Sequence, residues 1–404
     1  MTAIAPSPWV GRARIVPLAL AHAFGTLNFM AILAMAPAVQ AALGLSRTEF
    51  GLLTSAYSAG LLGCALPFGW LVDRIGVRAA LVISHLIMAS ATLLFTQARS
   101  LSVAAICVGL CGVGYAFINP ATAKAVLLLF PVRERGTAMG IKQTGVPIGG
   151  AAAAGLGALG ASLGWQPILW IVAGLTLGGS GLYLSLDGNR SDRQGGAVRD
   201  ALADFREVVG NRDLTLLNCT GAVFSAAQGA IFTYLTLFMR DVTHVGLPFA
   251  SLCLGLAHAG SACGRIAWGL VSDRLLGGRR KLGMVLIGAC ASTLLVCLLA
   301  VGSGWRVGLG ALLAFLLGLT IASYAGLLQS ASVEAVEVRL AGAAIGYHMI
   351  LTPLGSMLGP PGFGAVVDRS GSYGAGWLLV AGLLLGSTLI FAARFREGLR
   401  KGVA

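Results

Sequence analysis

Twelve apolar stretches, most of them about 20 residues long and separated by short polar turns, dominate this chain and restrict how it can fold. They run approximately over 15–41, 49–72, 78–97, 102–129, 138–162, 166–186, 214–238, 247–271, 282–302, 307–332, 341–366 and 376–393. Backbone in hydrocarbon has no water to bond to, so each stretch must satisfy its own N–H and C=O groups as a helix crossing a core of roughly 30 Å. Composition agrees: 57% of the residues are hydrophobic and 11% charged, where soluble domains carry about a quarter charged. The 58 glycines suit membrane helices, which approach closely where side chains are small. The expected fold class is an all-α membrane protein of twelve transmembrane helices.

The net charge of +13 would suggest nucleic acid in a soluble chain, but its placement argues for lipid. Of the 28 Lys and Arg residues, 20 lie in the tails and loops on one side; Arg47, Arg99, Arg240, Arg306 and Arg369 lie on the other. By the positive-inside rule both termini are cytoplasmic, in a bacterial inner (plasma) membrane. The first apolar stretch is long enough to span, so no cleavable signal is expected. All eight cysteines (Cys64, Cys107, Cys111, Cys219, Cys253, Cys263, Cys290, Cys297) fall in spans, where burial as small apolar residues without disulfides is expected. The aqueous segments hold no nucleophile–base pair, metal cluster or phosphate loop, so no enzyme, catalytic residue, metal or cofactor is expected. The partners expected are the bilayer and a solute, with no nucleic acid, and the chain is read as a monomer.

An internal repeat organises the spans. Gly69-x-x-x-Asp73-Arg74 at the end of span two recurs as Gly269-x-x-x-Asp273-Arg274 at the end of span eight, an offset of 200. Gly140, Pro147 and Gly149 recur as Gly346, Pro353 and Gly355, an offset of 206. The reading is a tail at 1–14, a six-helix bundle at 15–186, a polar linker at 187–213, a second bundle at 214–393 and a tail at 394–404. In the linker, Arg199, Asp200, Asp204, Arg206 and Glu207 suit an amphipathic surface helix. Parallel repeats of this kind are a transporter signature, with the solute site near mid-membrane between the halves.

Every acidic residue lies outside the spans or at their ends, yet Lys124, Lys142 and Arg265 lie within them. Charges in hydrocarbon are tolerated mainly where they face water or a ligand, so the missing counter-charge points to a soluble anion. Helix rise puts Arg265 about 12 Å, Lys124 and Lys142 about 10 Å, and His348 about 13 Å from the cytoplasmic boundary. The lysines either face the pathway or snorkel to the interface. His348 holds the repeat position of Lys142. His348, His258 and His22 are proton-coupling candidates, because imidazole titrates near neutral pH.

The run Gly69-Trp70-Leu71-Val72-Asp73-Arg74-Ile75-Gly76-Val77-Arg78 resembles the cytoplasmic-loop motif of the major facilitator superfamily, and the duplication extends the resemblance over nearly the whole chain. It implies the major facilitator fold, two pseudo-symmetric six-helix bundles that rock about the solute. It assigns gating to Asp73, Arg74 and Arg78, and to Asp273 and Arg274. In that family spans one, four, seven and ten line the cavity, flanked by two, five, eight and eleven. The implied wall groups are Asn28, Tyr57, Tyr115, Asn119 and Gln143 in the first half, and Gln228, Tyr234, Tyr324 and Gln329 in the second.

Span eight, Gly264-Arg265-x-x-x-Gly269-x-x-Ser272-Asp273-Arg274, is similar to the oxalate–formate exchanger and monocarboxylate transporter branch, whose corresponding arginine binds carboxylate. The implied function is secondary transport of a mono- or dicarboxylate, as proton symport or anion exchange. Span eleven carries His348 where the oxalate exchangers have lysine, and span one lacks the acidic glycine-rich signature of the animal monocarboxylate carriers. Gly145-Val146-Pro147-Ile148-Gly149-Gly150 partly resembles the antiporter motif of proton-driven drug exporters, which leaves drug or metabolite export as the alternative.

Overall fold

The structure is a computed structural model that describes residues 15–131, 134–186, 198–302 and 306–397; the tail at 1–14, the end of the other tail and linker residues 187–197 lie outside it. Among the described residues, ten helices are individually long and apolar enough to span. The bent second span makes an eleventh, and a broken helix pair at span ten completes twelve.

Span one is α1 (Ile15–Ala34) and α2 (Ala36–Leu43), and span two is α3 (Arg47–Ile75). Span three is α4 (Val77–Phe95), and span four is α5 (Leu101–Ala116) with α6 (Ile118–Leu129). Span five is α7 (Arg135–Gln143) with α8 (Gly145–Leu163), and span six is α9 (Trp165–Ser180) with a short 3-10 turn. The linker helix α10 (Val198–Gly210) precedes span seven, α11 (Arg212–Thr243), and span eight, α12 (Leu247–Leu270). Span nine is α13 (Arg280–Cys297), span ten α14 (Arg306–Leu319) with α15 (Ala325–Glu334), span eleven α16 (Ala341–Ser370) and span twelve α17 (Tyr373–Arg394).

Four spans are broken, three of them beside a proline. In span one Pro37 lacks an N–H and Ala38 bonds back to Met35, which frees the Ala34 carbonyl; Ser251 of the other half donates to it at 2.8 Å. In span ten the turn at 320–324 strands carbonyls that span eight caps, Ser261 donating to Ala322 O at 2.7 Å and Trp268 to Leu319 O at 2.9 Å. Pro120 follows the break in span four, and Pro147 the break in span five. Irregular backbone at membrane depth survives where protein satisfies it in this way.

The halves meet along two seams, α3 against α16 and α8 against α12. We call the end with the turns at Gly44, Gly164, His244 and Gly371 distal, and the end with Gly76, Phe130 and Gly277 terminal. Distally, the Asp368 carboxylate accepts from Arg47 N (3.0 Å), Thr48 N (2.8 Å) and Thr48 Oγ1 (2.6 Å). The Arg47 guanidinium and the Tyr373 hydroxyl both donate to Asp241, at 2.7 Å each. The Tyr234 hydroxyl, with one hydrogen to give, lies 2.6 Å from Arg47 O and 2.9 Å from Pro360 O. Further in, Thr54 pairs with Thr233 (2.9 Å) and Ser58 with Ser356 (3.2 Å). Ser55 also donates to Met357 O (2.5 Å), and with the Ser251 bond to Ala34 O these are the polar ties found between the halves among the described residues; none of these joins them at the terminal end.

Outward faces carry exposed Leu94, Ile106, Trp170, Leu383 and Leu389, as lipid contact requires. Burial of the cysteines holds only in part: Cys107, Cys111 and Cys253 are buried, whereas Cys219, Cys263, Cys290 and Cys297 are exposed on helix faces. The linker helix docks through Arg339, which meets Asp204 at 3.2 Å and Glu207 at 2.7 Å; the side chains of Arg199 and Asp200 lie outside the described ones.

Candidate functional site

Close helix approach builds the site. A Cβ on Gly145 or Gly149 would collide with the Ala19 or Ala23 carbonyl of α1, so span five can lie against span one only because these positions are glycine. That contact carries Lys142, buried to 3% exposure, beside His22, which is fully buried. On the other flank, Gly25 leaves room for the Tyr115 ring. The groups join in a chain: Lys142 Nζ donates to Thr122 Oγ1 (3.0 Å), which lies 3.1 Å from His22 Nε2, and His22 Nδ1 lies 3.2 Å from the Tyr115 hydroxyl. Tyr57 stacks on Phe29 at 4.2 Å and tilts against Tyr115 at 6.1 Å.

From the other half, α12 brings Arg265. Gly260 and Gly264 press it onto the broken tenth span, within electrostatic reach of Tyr115 and Tyr324. The guanidinium also lies within electrostatic reach of His22 and His258. Among the described residues Arg265 makes no hydrogen bond or ion pair, and its Nε is buried without a partner. A buried, unsatisfied guanidinium nitrogen is costly unless a ligand supplies the acceptor. Two cations, one from each half, therefore flank one hydrogen-bonded core.

The other sequence-selected residues are placed as follows. Lys124 leaves the group: its ammonium snorkels to the terminal boundary and pairs with Asp73 at 2.9 Å. The three unpaired cations of the sequence reading are thus two, and Lys124 is off the common level because its long stem spans the difference. Asn28 is fully buried and fully used, donating to Phe24 O (2.7 Å) and Thr176 (2.9 Å) and accepting from Thr92 (2.7 Å). It ties span one to spans three and six, away from the seam between halves. We expect Asn28→Ala to lower stability by about 1–3 kcal/mol while uptake KM holds; thermal unfolding in detergent beside an uptake curve checks both. Tyr234 belongs to the distal closure rather than to the cation cluster.

His348 meets Asn218 Oδ1 (3.2 Å) and Thr352 Oγ1 (3.0 Å) within its own half. His258 stacks on Phe232 at 4.4 Å with its ring against Gly150 across the seam, and its Nε2 has no partner among the described residues. Gln143 reaches Asn119 at 3.5 Å, and Gln228 and Gln329 are half-buried. The residues assigned to gating make contacts within one half: Asp73 with Lys124, Arg74 over the Trp70 ring (3.7 Å) and Arg78 to Leu186 O (2.8 Å). Asp273 pairs with Arg280 at 2.6 Å, and Arg280 also with Glu334; no hydrogen bond or ion pair of Arg274 is found among the described residues. Sequence reading missed Thr122, whose only signal is its place in a span expected to line the cavity, and the Arg47–Asp241–Asp368 cluster, of which it names only Arg47, as a loop cation.

Residues 18–360 match the model of the Major Facilitator Superfamily. The chain belongs to the major facilitator superfamily. This facilitator is 24% identical to the probable sulfoacetate transporter SauU of Cupriavidus necator over 87% of its length and 86% of that protein's. It is 24% identical to the hexuronate transporter of Bacillus subtilis, over 93% and 92%. A chloramphenicol resistance protein of Streptomyces lividans is 28% identical over 62% of the chain and 64% of its own length. Among solved structures, a bacterial homologue of the human lysosomal transporter Spinster superposes with a TM-score of 0.77 at 15% identity, covering 98% of this chain and 100% of that one. The fold is that of a major facilitator: helical, membrane-embedded and built for transport.

Proposed function

We propose that this facilitator moves a small organic anion, a mono- or dicarboxylate, across the bacterial inner membrane by rocker-switch alternating access. The halves at 15–186 and 214–393 rock about the site, and the linker at 187–213 tethers them on the cytoplasmic side that the charge bias assigns to the termini. The carrying observation is Arg265, whose guanidinium lacks an acceptor among the described residues, with Lys142 opposite and no carboxylate beside either. A planar guanidinium matches a carboxylate through two parallel hydrogen bonds. Tyr57, Tyr115 and Tyr324 supply aromatic wall and hydroxyls, and Asn119, Gln143 and Gln228 complete the candidates for substrate contact. The polar ties close the distal end, which the charge bias assigns to the periplasm; this supports a site that opens toward the cytoplasm.

Sulfoacetate and hexuronate, the solutes in the names of two relatives, are both organic anions, which supports the class and favours no single member. The span-eight arginine supports an analogy with the oxalate–formate and monocarboxylate branch. Coupling is by proton symport or by anion exchange, the working unit is a monomer, and the asymmetry of charge supports cytoplasmic termini. The chloramphenicol resistance relative favours a second reading, proton-driven drug or metabolite export.

Reconstituted protein offered pyruvate, malonate, glucuronate, sulfoacetate and chloramphenicol separates the two. Saturable, mutually competitive uptake of the anions is expected. Flux of chloramphenicol alone would overturn the anion reading.

A further inference from the structure

We propose that His22 carries the coupled proton, and that this proton decides whether the Tyr115 hydroxyl points at the imidazole or at the anion. The inference deepens the anion-carrier reading and rests on it. It starts from Thr122, whose one hydroxyl hydrogen goes to Ile118 O at 2.7 Å. Thr122 Oγ1 can then only accept, from Lys142 Nζ at 3.0 Å and from His22 Nε2 at 3.1 Å. His22 Nε2 therefore carries hydrogen in either protonation state, and the open position is Nδ1.

In the neutral ring Nδ1 accepts from the Tyr115 hydroxyl at 3.2 Å, so the tyrosine hydrogen is spent on the imidazole. A proton from cavity water placed on Nδ1 makes that atom a donor. The Tyr115 oxygen then accepts, its O–H rotates outward, and the site gains a donor for an anion held at Arg265.

The groups facing His22 couple the two events. Lys142 from α7, Arg265 from α12 and His85 from α4 are within electrostatic reach; Tyr115 from α5 and Thr122 from α6 bond to it; α8 presents Gly145. His85 is committed elsewhere, donating to Leu81 O and accepting from Tyr183, both at 2.8 Å. A proton on His22 thus meets repulsion from Lys142 and Arg265, the two cations that a bound anion neutralises. Each ligand strengthens the other's binding by the same factor. A monoanion entering with one proton leaves the cluster's charge unchanged, which suits a carrier that must return empty.

The test uses proteoliposomes with the potential clamped, given pyruvate, malonate, glucuronate and sulfoacetate in turn, with an internal pH dye. For one-to-one coupling of a monoanion, wild type should accumulate it about tenfold per unit of pH gradient, acid outside, and acidify the lumen. His22→Gln should lose both accumulation and acidification, retaining slower exchange of internal for external anion without pH dependence. Tyr115→Phe should keep proton entry and raise the anion KM. Accumulation surviving in His22→Gln would overturn the proposal, as would wild-type exchange without proton movement; either leaves the anion-carrier reading standing. Arg265→Ala with undiminished flux instead removes that reading. If His22→Gln fails to fold, nitrogen-15 histidine spectra of the wild type decide: sulfoacetate at about pH 6 should add a proton to His22 Nδ1, and no change would count against it.

Discussion

Replacing Arg265 by alanine should reduce anion uptake by tens- to thousands-fold, and replacing it by lysine should recover little. The size follows from truncating one partner of a desolvated charge pair, about 2–5 kcal/mol, at a tenfold per 1.4 kcal/mol. Lysine keeps the charge but presents three divergent N–H groups where guanidinium offers a planar fork. The packing is close here: Gly264 lets α12 lie against Leu319 and Ser323 of the broken tenth span, with Tyr115 and Tyr324 within electrostatic reach of the guanidinium. Initial uptake rates normalised to reconstituted protein measure the effect. Arg265→Lys matching wild type would show that charge alone is read, and Arg265→Ala matching it would remove the residue from the site.

The spans, the duplicated halves and the location of Arg265 were legible because hydropathy, repeat spacing and the rarity of embedded charge are one-dimensional signals. What a side chain faces is not one-dimensional. One residue of register turns a helix by about 100°, and the breaks at Met35, Phe117, Thr144 and 320–324 reset both rotation and depth. Asn28 shows the consequence: it lies in a span expected to line the cavity but turns to Thr92 and Thr176 behind it. Tyr234 fails differently, because its depth on α11 belongs to the distal closure. Lys124 is ambiguous on arithmetic alone, since a lysine stem reaches about as far as the distance in question, and its pairing with Asp73 appears only in three dimensions. Thr122, with no charge or ring to announce it, becomes visible only when Lys142 and His22 converge on its oxygen.

Opening the distal side must break the Asp368 and Asp241 contacts together, so removing both carboxylates should shift the carrier toward its distal-open form. These ties join residues separated by 321 and 194 positions in the chain, and they hold the halves rather than the helices. The N-terminus of α3 already has its own capping box, Ser46 accepting from Glu49 N and Glu49 accepting from Ser46 N. Asp368 adds a second carboxylate from the other half, favoured by the helix dipole, and α3 survives its loss. In the same way Asp241 gathers Arg47 and Tyr373 at a half-exposed position. The Asp241→Ala, Asp368→Ala pair should therefore melt nearly as wild type does while its conformational balance moves by about 1–3 kcal/mol, roughly 5- to 150-fold. In a background without the native cysteines, Thr233→Cys reports the opening, because Thr233 is buried against Thr54 of the other half. Labelling by a membrane-impermeant maleimide from the distal side should accelerate by that factor in the double variant. An unchanged labelling rate would show that apolar packing along the α3–α16 and α8–α12 seams, and not these carboxylates, sets the cost of opening.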